Sequence, residues 1–415
     1  MKTWATYLAA VLLGLVTAYL FHASPEALGA LTVLNSFLLN LGLCLTLLVM
    51  LVTFTAGVAS LGREKEGRRV LASSIGWSVL TTFLLAFLAA GLYQLFPSAF
   101  PATSTSSLAP DALSSSVSRV VTNTLSSLSL VNPVWTVGTT SSFFAPALLL
   151  CLVTGLAAVP VNERIRPAYT ALCSFSEVMH RIGFTFTVFG FVLVYSASSV
   201  LFLEASQENL PLSFPGYAAV LAAGTAVALF AVLPLLFAVF TRFRQNPYKV
   251  LFRAMPALLL SLFTSNRNIS MMLEESLSRD SLGIHRRVSS TAVPLLMIIG
   301  RGGTAFVSAF TVLALIHATT GSIPGPLLLG LVALAAAIAS FFSSAATGAE
   351  PAVITVLTIN MLSIELYGAE NALIALLPLV AGLGLLLDSA IAMLGTSAAA
   401  CKLGAVYELD DEDIL

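Results

Sequence analysis

Long uncharged runs recur through this chain, and they fix its solvent before they fix its fold. Stretches able to cross about 30 Å of hydrocarbon as helices lie near 4–22, 33–61, 70–96, 142–160, 169–203 and 216–241, with further runs at 290–318 and 372–406. Two of the runs, 33–61 and 169–203, exceed a single crossing, so they tilt or project beyond the bilayer. Only 9% of the 415 residues are charged and 58% are hydrophobic, whereas a soluble domain carries about 25% charge. So few charges cannot cover a water-facing surface, and most of the outer surface must meet lipid. The fold class expected is an all-α polytopic membrane protein.

The same inventory excludes several functions. A formal net charge of −1 leaves no basic excess for nucleic acid. Cys44, Cys151, Cys173 and Cys401 sit far apart, with neither a metal-ligand spacing nor a disulfide framework, and the four histidines form no cluster. No grouping of nucleophile, base and metal ligands supports an enzyme. The start of the chain imitates a signal peptide, with Lys2, an apolar run and Ala23-Ser24-Pro25. Its run of about 20 residues outlasts the usual h-region of about 7–15, so a retained first transmembrane helix is expected. The Ser/Thr/Pro-rich segment 97–141 reads as a loop or partly helical excursion without assigned chemistry.

Two regions are apolar but interrupted. Residues 254–277 contain Thr264-Ser265-Asn266-Arg267-Asn268, and residues 326–362 contain Ser343-Ser344-Ala345-Ala346-Thr347-Gly348-Ala349-Glu350-Pro351. The arms beside each break are too short to cross a bilayer as helices, so each region suits a re-entrant hairpin. Irregular backbone at membrane depth must be buried in protein or line a watery cavity, and two such breaks point to a binding site.

Charge placement sets the orientation. With the N-terminus in the cytoplasm, Lys2, Arg63, Lys65, Arg68, Arg69, Arg164, Arg166, Arg242, Arg244, Lys249 and Arg253 fall inside. Arg279, Arg286 and Arg287 join them only if 254–277 enters and leaves from the same face, and Arg119 alone remains outside. This bias favours cytoplasmic N- and C-termini, six spans, a hairpin from inside, a seventh span, a hairpin from outside and an eighth span.

That order resembles the glutamate transporter homologues, the dicarboxylate/amino acid–cation symporters, over most of the chain and best from 245 to 407. Asn246-Pro247 and the apolar run to Thr264-Ser265 look like the lead into that family's first hairpin, with Ser265-Asn266-Arg267-Asn268 where it has a serine-rich tip. Gly300-Arg301-Gly302-Gly303-Thr304 matches its unwound Asn-Met-Asp-Gly-Thr, keeping only Gly-Thr. Trp77-Ser78-Val79-Leu80-Thr81-Thr82 is similar to a third-helix segment that supplies cation ligands. In the last helix Asp388 matches an Asp that holds a substrate ammonium. Ile391, Gly395 and Ala399 stand where the family has an Arg for a side-chain carboxylate, an Asn for the α-carboxylate and an Asp for sodium.

The resemblance implies a homotrimer. Residues 1–244 would be mainly scaffold, with the third and sixth helices joining the core, and residues 245–415 the transport core. That core would hold a first hairpin about 254–277, a seventh helix about 290–318, a second hairpin about 326–362, an eighth helix about 372–406 and an acidic cytoplasmic tail.

The residues themselves leave several roles open. Arg301, between Gly300, Gly302 and Gly303 in an apolar helix, costs about 2.5–3.5 kcal/mol to insert and needs an interior partner. It replaces a bound cation, forks onto a substrate carboxylate, or pairs with Asp388 or Glu350. Asp388, the last deep acid, contacts substrate or pairs with Arg301 or Arg267. Arg267 and Asn266 at the first tip, Ser343, Ser344, Thr347 and Gly348 at the second, and Thr304 and Thr396 complete the substrate-binding set. Ser78, Thr81, Thr82, Gly300 and Glu350 are candidates for a coupling ion or proton. Lys402 is expected to snorkel to the interface. The family's two acidic sodium ligands are missing and a cation has been added, so classical sodium coupling is not expected.

The function expected is secondary transport of a small carboxylate, an acidic amino acid or a dicarboxylate, with lipid as surroundings, no cofactor, and sodium or proton left open as the coupling ion. A neutral amino acid transporter and a non-transporting relative of the same fold are the alternatives.

Overall fold

A computed structural model describes residues 3–21, 24–64, 66–97, 145–208, 215–342, 350–362 and 370–407. Among them the secondary structure is helical, apart from one isolated bridge between Ile284 and Val406. The early helices are α1 Thr3–Phe21, α2 Pro25–Glu64, α3 Gly67–Leu95, α4 Ala145–Ala157 and α5 Arg166–Glu208. A sixth run holds α6 Pro215–Val227, a π turn at Ala228–Val232 and α7 Leu233–Phe240. Pro234, which has no N–H to give the helix, stands two residues past the end of the π turn, and its missing donor is a known cause of such a bulge or kink.

Seven described helical stretches are long and apolar enough to cross a membrane, among them Thr3–Phe21, Phe189–Ser206 within α5, Arg286–Thr320 and Leu376–Leu403. The run expected at 142–160 is represented by the 13-residue α4, and residues 141–144 before it lie outside the described set. α1 docks on α5 through small residues. A Cβ on Gly14 would meet Ser198 and one on Gly190 would meet Tyr7, whose hydroxyl donates to the Thr187 carbonyl at 3.0 Å.

The later half contains α8 Pro247–Thr264, α9 Arg267–Asp280, α10 Arg286–Ile299, α11 Gly302–Thr320, α12 Pro326–Phe342, α13 Glu350–Met361 and α14 Glu370–Leu403. The interruption expected in 254–277 is real and short. Ser265 takes a left-handed conformation (φ 47°), and Asn266 starts the next helix by accepting the Asn268 N–H at 3.1 Å. α8 and α9 then fold back on each other: Arg253, early in α8, donates to the Ser281 carbonyl just past α9 at 2.8 Å. The chain also breaks at Gly300-Arg301, between α10 and α11. α12 and α13 pack together, while the tip expected between them, including Ser343, Ser344, Thr347 and Gly348, lies outside the described residues.

One end of the bundle gathers the basic side chains. Glu177 of α5 meets Arg279 at 3.0 Å and Arg286 at 3.2 Å, and Glu66 meets Arg287 at 3.6 Å. Burial works to raise the Glu177 carboxyl, but the two guanidinium groups outweigh it and hold it below its ordinary value. Burial and the nearby Arg286 and Arg279 hold the His285 imidazole low. The end of the chain docks here too, since His285 donates its backbone N–H to the Ala405 carbonyl at 3.0 Å.

Candidate functional site

The two chain breaks meet. α10 runs 14 residues from the basic end to Gly300, which places its break about 20 Å in at about 1.5 Å per residue. There the first turn of α9, the break and the middle of α14 converge on buried charges: Arg267, Arg301, Glu350, Asp388 and Glu274.

Arg267 sits at the centre. Its Nη1 donates to the Gly300 carbonyl at 2.6 Å, and its Nη2 to the carbonyls of Leu296 at 2.7 Å and Asp388 at 3.3 Å. The break leaves the Gly300 carbonyl outside the helical ladder, and the guanidinium takes it, while the Leu296 carbonyl also accepts the Gly300 N–H at 2.8 Å and serves both donors. The Asp388 carboxylate divides its oxygens. Oδ1 accepts the Gly303 and Thr304 N–H groups at 2.6 and 3.3 Å, at the N-terminus of α11, where the helix dipole favours an anion. Oδ2 lies 3.6 Å from Arg267 Nη1, near enough for charge pairing and too far for a hydrogen bond. Gly303 permits this arrangement, because a Cβ there would run into the Gly384 carbonyl and Leu387 and come within 2.8 Å of the Asp388 nitrogen.

Arg301 faces the other way. Its Nη1 lies 2.7 Å from Glu350 Oε1, a contact of charge rather than of aligned hydrogen bonding, and its Nε donates to the Ile298 carbonyl at 3.1 Å. Of the two acids open to Arg301 in the sequence, the structure pairs it with Glu350, and of the two guanidinium groups open to Asp388 it places Arg267 beside it.

The remaining expected residues are buried around these pairs. Thr304 donates its hydroxyl to the Arg301 carbonyl at 3.1 Å. Ser78 donates to the Ile299 carbonyl at the break, and Trp77 to the Ile391 carbonyl at 2.9 Å. Thr81 spends its hydroxyl on its own helix, bonding Trp77 O at 2.8 Å. Thr82 and Thr396 keep buried hydroxyls with no hydrogen-bond partner among the described residues. Of the candidate coupling-ion groups, then, the Gly300 carbonyl already holds a guanidinium, and the Ser78 and Thr81 hydroxyls are directed at backbone.

Sequence reasoning missed the acids of α9. Glu274 accepts hydroxyls from Ser389 at 2.5 Å and Ser270 at 3.2 Å. Glu275 accepts from Thr53 of α2 at 3.0 Å and Ser290 of α10 at 2.7 Å. A signal was present: Glu274 stands seven residues after Arg267, two turns along the same helix face.

Comparison with known proteins places the chain. The model of the sodium:dicarboxylate symporter family matches residues 3–405, nearly the whole sequence. No curated protein matches the chain by sequence.

Proposed function

Given that this chain belongs to the sodium:dicarboxylate symporter family, we propose that it is a secondary transporter of a small carboxylate solute in which a built-in guanidinium stands where a coupling cation would bind. One observation carries this reading: Arg267 occupies the carbonyls of Leu296, Gly300 and Asp388 at 2.6–3.3 Å. The unwound end of a broken helix offers carbonyls to cations in transporters, and here the cation on the Gly300 carbonyl is tethered to the chain. Sodium has no need to enter, and transport is sodium-independent.

The substrate carboxylate goes to Arg301. In the structure Glu350 holds that guanidinium, and an incoming carboxylate exchanges with it as α13 moves aside. A planar fork suits a carboxylate bidentately. Residues 245–415 form most of the moving core, joined by the third and sixth helices, the other early helices are the scaffold, and the motion is elevator-like. The hairpins are re-entrant, the assembly is a homotrimer, and the protein lies in the cell's inner membrane with both termini cytoplasmic. A neutral amino acid is the second reading, favoured because both guanidinium groups already have acid partners.

Counterflow in proteoliposomes tests the reading. Labelled acidic amino acids or dicarboxylates should exchange, and Arg301→Met should abolish the exchange. Exchange of neutral amino acids alone would replace the first reading with the second. No exchange of any solute would identify a non-transporting member.

A further inference from the structure

Glu274 has surroundings that none of the proposed steps uses. It is fully buried. Both hydroxyls that reach it, Ser389 and Ser270, donate to Oε1, while Oε2 has no hydrogen-bond partner among the described residues. No cation there comes within the 4 Å of an ion pair. The buried cluster also does not balance. Arg267 and Arg301 give two positive charges, against three negative ones if Asp388, Glu350 and Glu274 are all ionised. An unpaired charge in such a core is costly, and a carboxyl there neutralises instead. Asp388 and Glu350 each have a guanidinium, so the surplus falls on Glu274.

α9 packs against α2, α5, α8, α10 and α14. The charges that bear on Glu274 are Arg267 on its own helix and Asp388 on α14. The others turn elsewhere. Glu177 and His180 of α5 engage Arg279 and Asp280 at the far end of α9, Arg253 of α8 reaches Ser281, and Arg286 and Arg287 of α10 face Glu177 and Glu66. A metal cation fits poorly. Two carboxylate oxygens and two hydroxyls fall short of the roughly six oxygens a hard cation takes, and both hydroxyls present hydrogens rather than lone pairs.

Neighbouring Glu275 shows the contrast. Its two oxygens each accept a hydroxyl, one from Thr53 of α2 and one from Ser290 of α10, so it ties α9 to the first half of the chain. Glu274 bonds only within α9 and α14, the pair that moves together in the proposed core.

We propose that Glu274 is the proton-binding site of the transport core, loaded at Oε2 from water on one side of the membrane and unloaded on the other. This rests on the transporter reading above. Loading forms an O–H bond with a proton from hydronium and leaves water; unloading returns the proton to water. The core thus crosses with Glu274 neutral, and a proton gradient drives the solute.

Two measurements on the full-length protein test it. Infrared titration should show a protonated-carboxyl band that Glu274→Gln removes and Glu275→Gln keeps. In proteoliposomes, the ratio of proton-driven uptake to counterflow should fall at least tenfold in Glu274→Gln. Ser389→Ala, which keeps the acid and deletes a donor to the ionised form, should move the titration midpoint to higher pH. A band that survives Glu274→Gln, an unchanged uptake ratio, or an unmoved midpoint in Ser389→Ala would each overturn the proposal, as would a sodium-dependent stabilisation lost in Glu274→Gln. Failure of all exchange in the wild type would sink the transporter reading, while the infrared result still decides the proton site.

Discussion

Replacing Arg267 separates charge from hydrogen bonding at the centre of the site. Arg267→Met keeps the volume of the stem and removes the cation. Three hydrogen bonds to carbonyls vanish, at 2.6, 2.7 and 3.3 Å, and Asp388 Oδ2 loses the guanidinium 3.6 Å away. Hydrogen bonds between membrane helices average only about 0.6 kcal/mol, because a chain unfolded in the membrane finds other partners. Three of them come to about 2 kcal/mol. Breaking a buried ion pair costs about 3–5 kcal/mol. The lower end applies, since Gly303 and Thr304 still hold Oδ1. The charge therefore outweighs the bonds, and Arg267→Lys, which keeps the charge and reaches fewer carbonyls, should lose only about 1 kcal/mol. Thermal inactivation in detergent, followed by fluorescence-detected size exclusion, should rank wild type slightly above Lys and both well above Met. Met equal to wild type would refute the role given to Arg267. Lys as unstable as Met would show that the fork, not the charge, holds the break together.

Three further outcomes follow from the same geometry. Asp388→Asn should destabilise less than Asp388→Ala in that assay, because an amide oxygen can still accept the Gly303 N–H. Gly303→Ala should cost about 1–3 kcal/mol of stability, because its Cβ meets the backbone of α14, which cannot rotate away. Glu177 has a lowered pKa, so its contribution is present above the unfolded value of about 4.3 and is lost as the pH falls through the folded one. Acid should thus weaken the wild type in a step that Glu177→Gln lacks, as seen in inactivation profiles against pH.

Much of the fold was legible because lipid imposes strict terms. Uncharged runs marked the helices, and three glycines around Arg301 marked a break that the structure puts at Gly300-Arg301. The Lys/Arg bias required Arg253 and Arg279 at one end, and the Arg253–Ser281 bond joins those ends. The pairings were not legible. Periodicity assigns a residue to a face of its own helix, not to a partner on a distant helix, so Arg267 with Asp388 and Arg301 with Glu350 stayed among the options. Glu274 and Glu275 were missed because adjacent acids late in an interrupted segment look like a solvated end. Only the packing of α9 against α14 and α2 shows both carboxylates buried on serine and threonine hydroxyls.

The tethered guanidinium is best tested by counterflow of a labelled acidic solute in proteoliposomes while sodium is replaced by choline at fixed pH and ionic strength. If Arg267 stands in for the coupling cation, the rate stays flat across the sodium series. A saturable requirement for sodium would contradict it.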